Sequence, residues 1–258
     1  MMRKALFLTV ASLLVSIASH ACAADLPIAA PLLTTVPVFS WSGCYLGGHG
    51  GLGLANKTFT DPVQLAQDSV IGPGTTTGTT TTPVNVDGGL VGGQIGCDYQ
   101  FAPNWVTGVE GAASGMNLRG STSVALPMGN PGDQATVTAQ TSFIPSVTGR
   151  LGYTFDRLLL YGRGGVAWAS DKYNINGMVT GLGFGFQGLV LRTGWTAGAG
   201  AEWVFSRSWS ANVEYDYYSF GTSNILMSDS INGFSGTVNV KQSVQVVKAG
   251  LNFHVWSW

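Results

Sequence analysis

Eight ionisable residues dominate the chemistry open to this chain: Asp98, Glu110, Arg150, Arg163, Glu202, Glu214, Asp216 and Lys248. Each lies in a segment where apolar and polar residues alternate, and each falls on the polar side. Residues of one parity share a face of a β-strand. The charges are therefore expected on the inner faces of strands, around one lumen. Carboxylates confined with guanidinium and ammonium groups out of water must pair. The first chemistry this implies is a salt-bridge plug; the second is a narrow, gated polar path for small solutes. Catalysis would need a nucleophile and a base within hydrogen-bond reach. His20 falls in the leader described below. His49 and His254 lie at opposite ends of the remaining chain and are accompanied by no Gly-x-Ser-x-Gly elbow. First and last strands are neighbours in a closed barrel, so both histidines could face one lumen, but no catalytic residue is assigned. No CxxC and no His/Cys cluster is present, so neither a metal nor a cofactor is expected.

The elements that must position these residues are read most easily from the last strand. Val247, Ala249, Leu251, Phe253 and Val255 share one face, and Lys248, Asn252 and His254 the other. The pattern of glycine followed by an aromatic recurs at Gly96, Gly152, Gly200 and Gly250, at intervals of about 50 residues, which marks one supersecondary unit used four times. Each unit is a strand, a short turn, a strand and a long loop. The strands are expected at 41–55, 88–101, 105–118, 140–155, 158–173, 193–205, 209–220 and 244–255, with Pro145 marking an irregularity. Loops are expected at 56–86, 119–138, 174–192 and 221–240. The first has a Gly, Thr and Pro centre at 72–83 that cannot bury a core.

The fold class that follows is all-β: an eight-stranded antiparallel up-and-down transmembrane β-barrel with short periplasmic turns and long extracellular loops. Aromatics at the short-turn ends, among them Trp41, Tyr99, Phe101, Trp105, Tyr153, Phe155, Trp203, Phe205, Trp209, Phe253 and Trp256, are expected as an interfacial girdle. A soluble lipocalin-like barrel would invert the faces and need many outward charges. Charged residues are only 10% of this chain, glycines number 37 and the net charge is −1, which offers nothing to a nucleic acid. A wide general porin needs about 16 strands.

Residues 1–23 read as a cleaved secretory signal, with Arg3 and Lys4 before a short apolar run and Ala21-Cys22-Ala23 at the cleavage site. Cys22 as a lipoprotein cysteine is the weaker reading, since Ser19 replaces the apolar residue expected before it. Residues 24–40 form a Pro-containing extended segment and 41–258 the barrel. The localisation expected is the cell outer membrane, with its lipid and lipopolysaccharide as partners and oligomeric state open. Export permits a disulfide between Cys44 and Cys97; the reading preferred is two small residues on an apolar face.

Ala24-Asp25-Leu26-Pro27, Trp41-Ser42-Gly43-x-Tyr45-x-Gly47-Gly48 and the closing Gly250-Leu251-Asn252-Phe253 together resemble the small outer-membrane β-barrel family of alphaproteobacteria. That is the family of the Brucella and Bartonella surface antigens and hemin-binding proteins. The resemblance covers nearly the whole mature chain and implies an envelope-structural surface protein without catalysis. Lys248, Gly250, Phe253 and Val255 match the terminal signal read by the barrel-assembly machinery. Here the family's closing aromatic is replaced by Val255, with Trp256-Ser257-Trp258 beyond it. The family also raises hemin binding or host-surface binding through the loops, with Tyr173 and Met178 as candidate contacts.

Overall fold

The computed structural model describes residues 39–72, 80–127 and 130–257. Eight strands follow in order: β1 (Gly43–Thr60), β2 (Thr81–Ala102), β3 (Trp105–Ala125), β4 (Gln134–Phe155), β5 (Leu158–Val179), β6 (Leu182–Ser206), β7 (Trp209–Asp229) and β8 (Ser235–Ser257). Each pairs antiparallel with its neighbours, and β8 returns to β1, closing the barrel. The four-unit punctuation has a steric reason. Gly96 and Gly200 face inward, and a side chain at either would strike the ring of Tyr45 or Tyr161. The glycines make room for inward aromatics in a crowded lumen.

The expected face assignment holds throughout. Leu46, Ile95, Val109, Val147, Leu151, Leu160, Trp203, Val213 and Leu251 point outward and are exposed, while all eight charges point inward and are buried. Short turns at Pro103–Asn104, Asp156–Arg157 and Arg207–Ser208 mark one end. Outward aromatics gather near it, and a second outward set, Phe143, Trp168, Trp195 and Tyr217, lies farther up. Between them runs an apolar band. Among the described residues, the charges on the outward faces of strands are Asp87, Arg119, Lys172 and Lys241, each just past the upper aromatics. Asp87 pairs with Arg119, Arg119 with Gln140 and Gln140 with Lys172 in one hydrogen-bonded row. Each charge stands about 15 residues along its strand from the short-turn end. At ~3.3 Å per residue and ~40° tilt, that is about 38 Å, the height of outer headgroups above an apolar band of ~25 Å.

Above this belt the expected loops are largely strand. Residues 174–192 contribute to β5 and β6, joined by a turn at Thr180–Gly181 with φ 50° and 83°, the left-handed pair that suits a tight hairpin. Likewise 119–125, 134–138, 221–229 and 235–240 belong to strands. The 56–86 segment holds the end of β1, the start of β2 and an unforeseen helix, α1 (Pro62–Ile71). Its Val63, Leu65 and Ala66 are buried in an apolar core with Phe59, Val84, Val137, Ile175, Phe186 and Val240.

Two further expectations change and one holds. Trp41 belongs to no outward girdle. It is buried and plugs the short-turn end, its Nε1 donating to the Asp156 carbonyl at 3.2 Å, among Val106, Leu159, Tyr161 and Val204. Cys44 and Cys97, directly opposite in the β1–β2 register, are disulfide-bonded, because a two-strand ladder brings in-register Cβ atoms within bonding reach. The irregularity expected at Pro145 is present: Ile144 and Pro145 have no register partner on β5, and a register shift precedes them at Thr141/Phe143. The leader at 1–23, Cys22, most of 24–40, the centre of the Thr-rich stretch and the side chain of Trp256 lie outside the described residues.

Candidate functional site

The lower half of the lumen holds one continuous polar network. Arg150 on β4 donates through Nε to Asp98 Oδ1 at 2.7 Å and through Nη2 to Asp98 Oδ2, and its Nη1 reaches Glu202 at 3.1 Å. The guanidinium lies over the rings of Tyr45 and Tyr161, 4.7 and 5.1 Å from their centres. Arg163 on β5 donates to Glu214 at 2.5 Å and to Thr148 at 3.0 Å, and its Nη2 is 2.9 Å from Glu110. Lys248 on β8 bridges Glu214 at 2.8 Å and Asp216 at 3.0 Å. All eight residues picked out from the sequence therefore meet in this space, supplied by the seven consecutive strands β2 to β8.

Sequence reading missed several members. Tyr45 donates to Glu110 at 2.6 Å and Tyr161 to Glu214 at 2.5 Å. His49 bridges Gln94 and Ser114 at 2.6 and 2.8 Å, and Gln94 reaches Asn252 at 2.6 Å. The inward parity of Tyr45 and Tyr161 was the available signal. Both histidines do face the lumen, but they engage different partners. His254 Nε2 lies 3.0 Å from Ser210 Oγ, and that hydroxyl donates to Glu202 at 2.5 Å. Ser210 is fully buried.

Five carboxylates, Asp98, Glu110, Glu202, Glu214 and Asp216, face three cations, Arg150, Arg163 and Lys248. The charge ledger of the lumen is thus acidic, and its members hold one another at close range across the bore. The assembly-signal positions divide between two roles: Lys248 is part of the network, while Phe253 and Val255 point outward, Phe253 packing on Trp209 with ring centres 5.1 Å apart.

A second, smaller polar cluster lies level with the headgroup belt, its Asp171, Thr141 and Gln242 adjoining Lys172, Gln140 and Lys241 in sequence. Lys57 donates to Asp171 at 2.7 Å, Thr141 donates to the same oxygen at 2.6 Å, and Tyr173 donates to Gln242 at 3.0 Å. Burial pulls the Lys57 ammonium down to about 8, against the raising pull of Asp171. The two candidate hemin contacts do not come together. Tyr173 and Met178 lie on β5, not in a loop; Tyr173 is buried inside and Met178 is exposed.

Comparison with known proteins agrees with this geometry. A family model described as outer membrane protein beta-barrel domain matches residues 10–253. A 31 kDa outer-membrane immunogenic protein of Brucella melitensis is 31% identical over 255 residues, covering 94% of this chain and 97% of the relative. A 25 kDa outer-membrane immunogenic protein of Brucella abortus is 27% identical, covering 88% and 84%. Among solved structures, the outer membrane protease OmpT from Escherichia coli superposes with a TM-score of 0.51 over 81% of this chain and 96% of that one, at 12% identity. That last likeness is one of fold alone.

Proposed function

The chain belongs to the outer membrane protein beta-barrel domain family, and from that premise we propose that it serves the outer membrane as a closed surface barrel with an envelope-structural role. It acts by occupying and bracing the bilayer and by presenting a stiff rim outside it. The observation that carries this reading is the ionic plug. Arg150, Arg163 and Lys248 each bind two or more carboxylates across the bore, and breaking any such buried pair costs about 3–5 kcal/mol. Trp41 closes the bore below, and α1 with the apolar core closes it above. The same packing favours a non-enzymatic role, since the hydroxyl of the Ser210–His254 contact belongs to a fully buried serine. Lipid and lipopolysaccharide contact the outer wall, and Phe253 and Val255 are the exposed positions offered to the assembly machinery.

The excess of carboxylates favours one alternative, a narrow cation path that opens when the pairs exchange. Planar-bilayer recording of refolded protein separates the two. The closed barrel gives no steps above the lipid background; resolved, cation-selective steps in the wild type overturn it.

A further inference from the structure

Arg192 stands on β6, points into the upper half of the barrel and is 3% exposed. Its Nη1 donates to the Val240 carbonyl at 2.8 Å, but Nε and Nη2 have no hydrogen-bond partner among the described residues. Asp171 Oδ2, itself without a hydrogen-bond partner, forms an ion pair with Nε at 3.8 Å, beyond hydrogen-bond reach. Its carboxylate is held by the other oxygen, which accepts from Lys57, Thr141 and Gln242. Nε and Nη2 form the side edge of a guanidinium, two parallel N–H groups that match the two oxygens of a carboxylate. The molecule itself shows what this edge takes: in Arg150 the same two nitrogens donate to both oxygens of Asp98. Lys57 and Arg192 also outnumber Asp171 in this buried cluster, so positive charge is in excess where the surroundings are apolar.

The wall beside Arg192 is the least continuous part of the barrel. The β6–β7 ladder stops at Gln187↔Ser228 and resumes at Trp195↔Ser219, so residues 188–194 have no register partner on β7. Interruptions in the other ladders skip two residues at most. Both ends of the gap are tight: a Cβ on Gly188 would come within 3.1 Å of Ile225, and one on Gly194 would strike the Ser219 carbonyl. The gap is confined to the stretch that carries Arg192. Outside it stand Leu189, Leu191 and Leu226, exposed by 75%, 71% and 65%. Leu189 is in register with Lys172 of the charge belt, which places these leucines at the boundary of the outer leaflet.

We propose that the β6–β7 seam is a binding site for a single-chain alkyl carboxylate. The head enters between the two strands and is held by the Nε/Nη2 edge of Arg192; the chain lies outside on Leu189, Leu191 and Leu226. No bond is made or broken. Neutralising the Arg192 charge is what makes the head group favourable there, and the leucines supply the apolar contact that a free small anion lacks.

The full chain in phosphatidylcholine nanodiscs is titrated with a fluorescent polyene fatty acid, with its methyl ester and with sodium acetate. The acid binds saturably at one site, and the ester and acetate bind at least about tenfold more weakly. Arg192→Gln weakens the acid about tenfold or more, Arg192→Lys weakens it less, and Leu189→Ser with Leu226→Ser weakens it while leaving acetate unchanged. Heat-modifiable gel migration reports whether each variant is folded. Should Arg192→Gln not fold, a Leu189→Cys/Leu226→Cys pair reads the same seam: oxidation slows uptake about tenfold relative to wild type treated identically. Equal binding of acid and ester, full affinity in folded Arg192→Gln, uptake unchanged by the cross-link, or acetate as tight as the acid each overturn the proposal.

Discussion

The two halves of the barrel solve opposite solvent problems with one continuous wall. In the lower half the outward row of β8 is Val255, Phe253 and Leu251, and the inward row is Asn252 and Lys248. In the upper half of the same strand, Val246, Val244, Val240 and Val238 face inward and are buried, while Lys241 and Asn239 face out. The strand keeps its period of two and reverses the sense of its faces. The crossover lies near Lys248 and Val246, below the belt of Asp87, Arg119, Lys172 and Lys241. Where hydrocarbon surrounds the wall, the interior holds the charges; where water surrounds it, the interior is an ordinary apolar core. The difference teaches that hydrophobic patterning on a strand reports which solvent lies outside, and that one strand can report two.

That contrast can be broken from either side. The largest effect is expected in the lower half with Arg150→Met, which leaves Asp98 and Glu202 buried without their cation; it costs about 3–5 kcal/mol, measured as a fall in the urea midpoint of vesicle-inserted protein. In the upper half, Ile175→Ala removes part of a packed apolar core and costs about 2–4 kcal/mol, whereas the same change at an outward upper position leaves the midpoint unmoved. The outer faces sharpen the point further. Val213→Arg, in the apolar band, costs about 2–4 kcal/mol, and Asn224→Arg, level with the charge belt, shifts stability by less than about 0.5 kcal/mol; equal costs would abolish the boundary drawn here.

The smallest effect is on pH dependence. The folded pKa of Lys57 is about 8 against 10.5 for a free lysine, so between those values the unfolded chain holds more protons and stability rises with pH. Relative to Lys57→Met, the wild type gains about 1–2 kcal/mol between pH ~8 and ~9.5, read from paired urea titrations. Tyr173, whose hydroxyl burial pushes up, acts in the opposite sense only above its ordinary range.

The lower half was legible because its signal is redundant. Alternation, the recurring glycines, the short turns and the paucity of charge all agree, and Arg150, Arg163, Glu202 and Glu214 each fall on the predicted face. The upper half was misread as loop for a physical reason. The expected strands ended where the outward apolar row ended; past that point Val238 and Val240 occupy the β8 parity that had been polar, while on β7 the register shift at Ser219/Gly221 turns Ile225 and Met227 inward. The alternation was present at 235–240, but with its phase reversed. Helix α1 gave a weaker signal still: ten residues beside a Gly/Thr/Pro tract, with Asp61 at its start making no side-chain cap. Trp41 was misplaced because an aromatic near a strand end reads as a girdle residue, and only its contact with the Asp156 carbonyl shows that it turns inward. The disulfide required the register, since only the exact pairing of Cys44 with Cys97 separates a bond from two small side chains.

The length of the strands has a mechanical consequence. A wall of about 22 residues rises ~55 Å at the tilt usual for such barrels, roughly twice the hydrocarbon it crosses. Whatever approaches the cell from outside thus meets the crest of a rigid tower, capped by tight corners such as Thr180–Gly181, before it reaches the lipid. A foreign peptide grafted at such a corner would be carried well clear of the bilayer, with its anchorage in the wall below undisturbed.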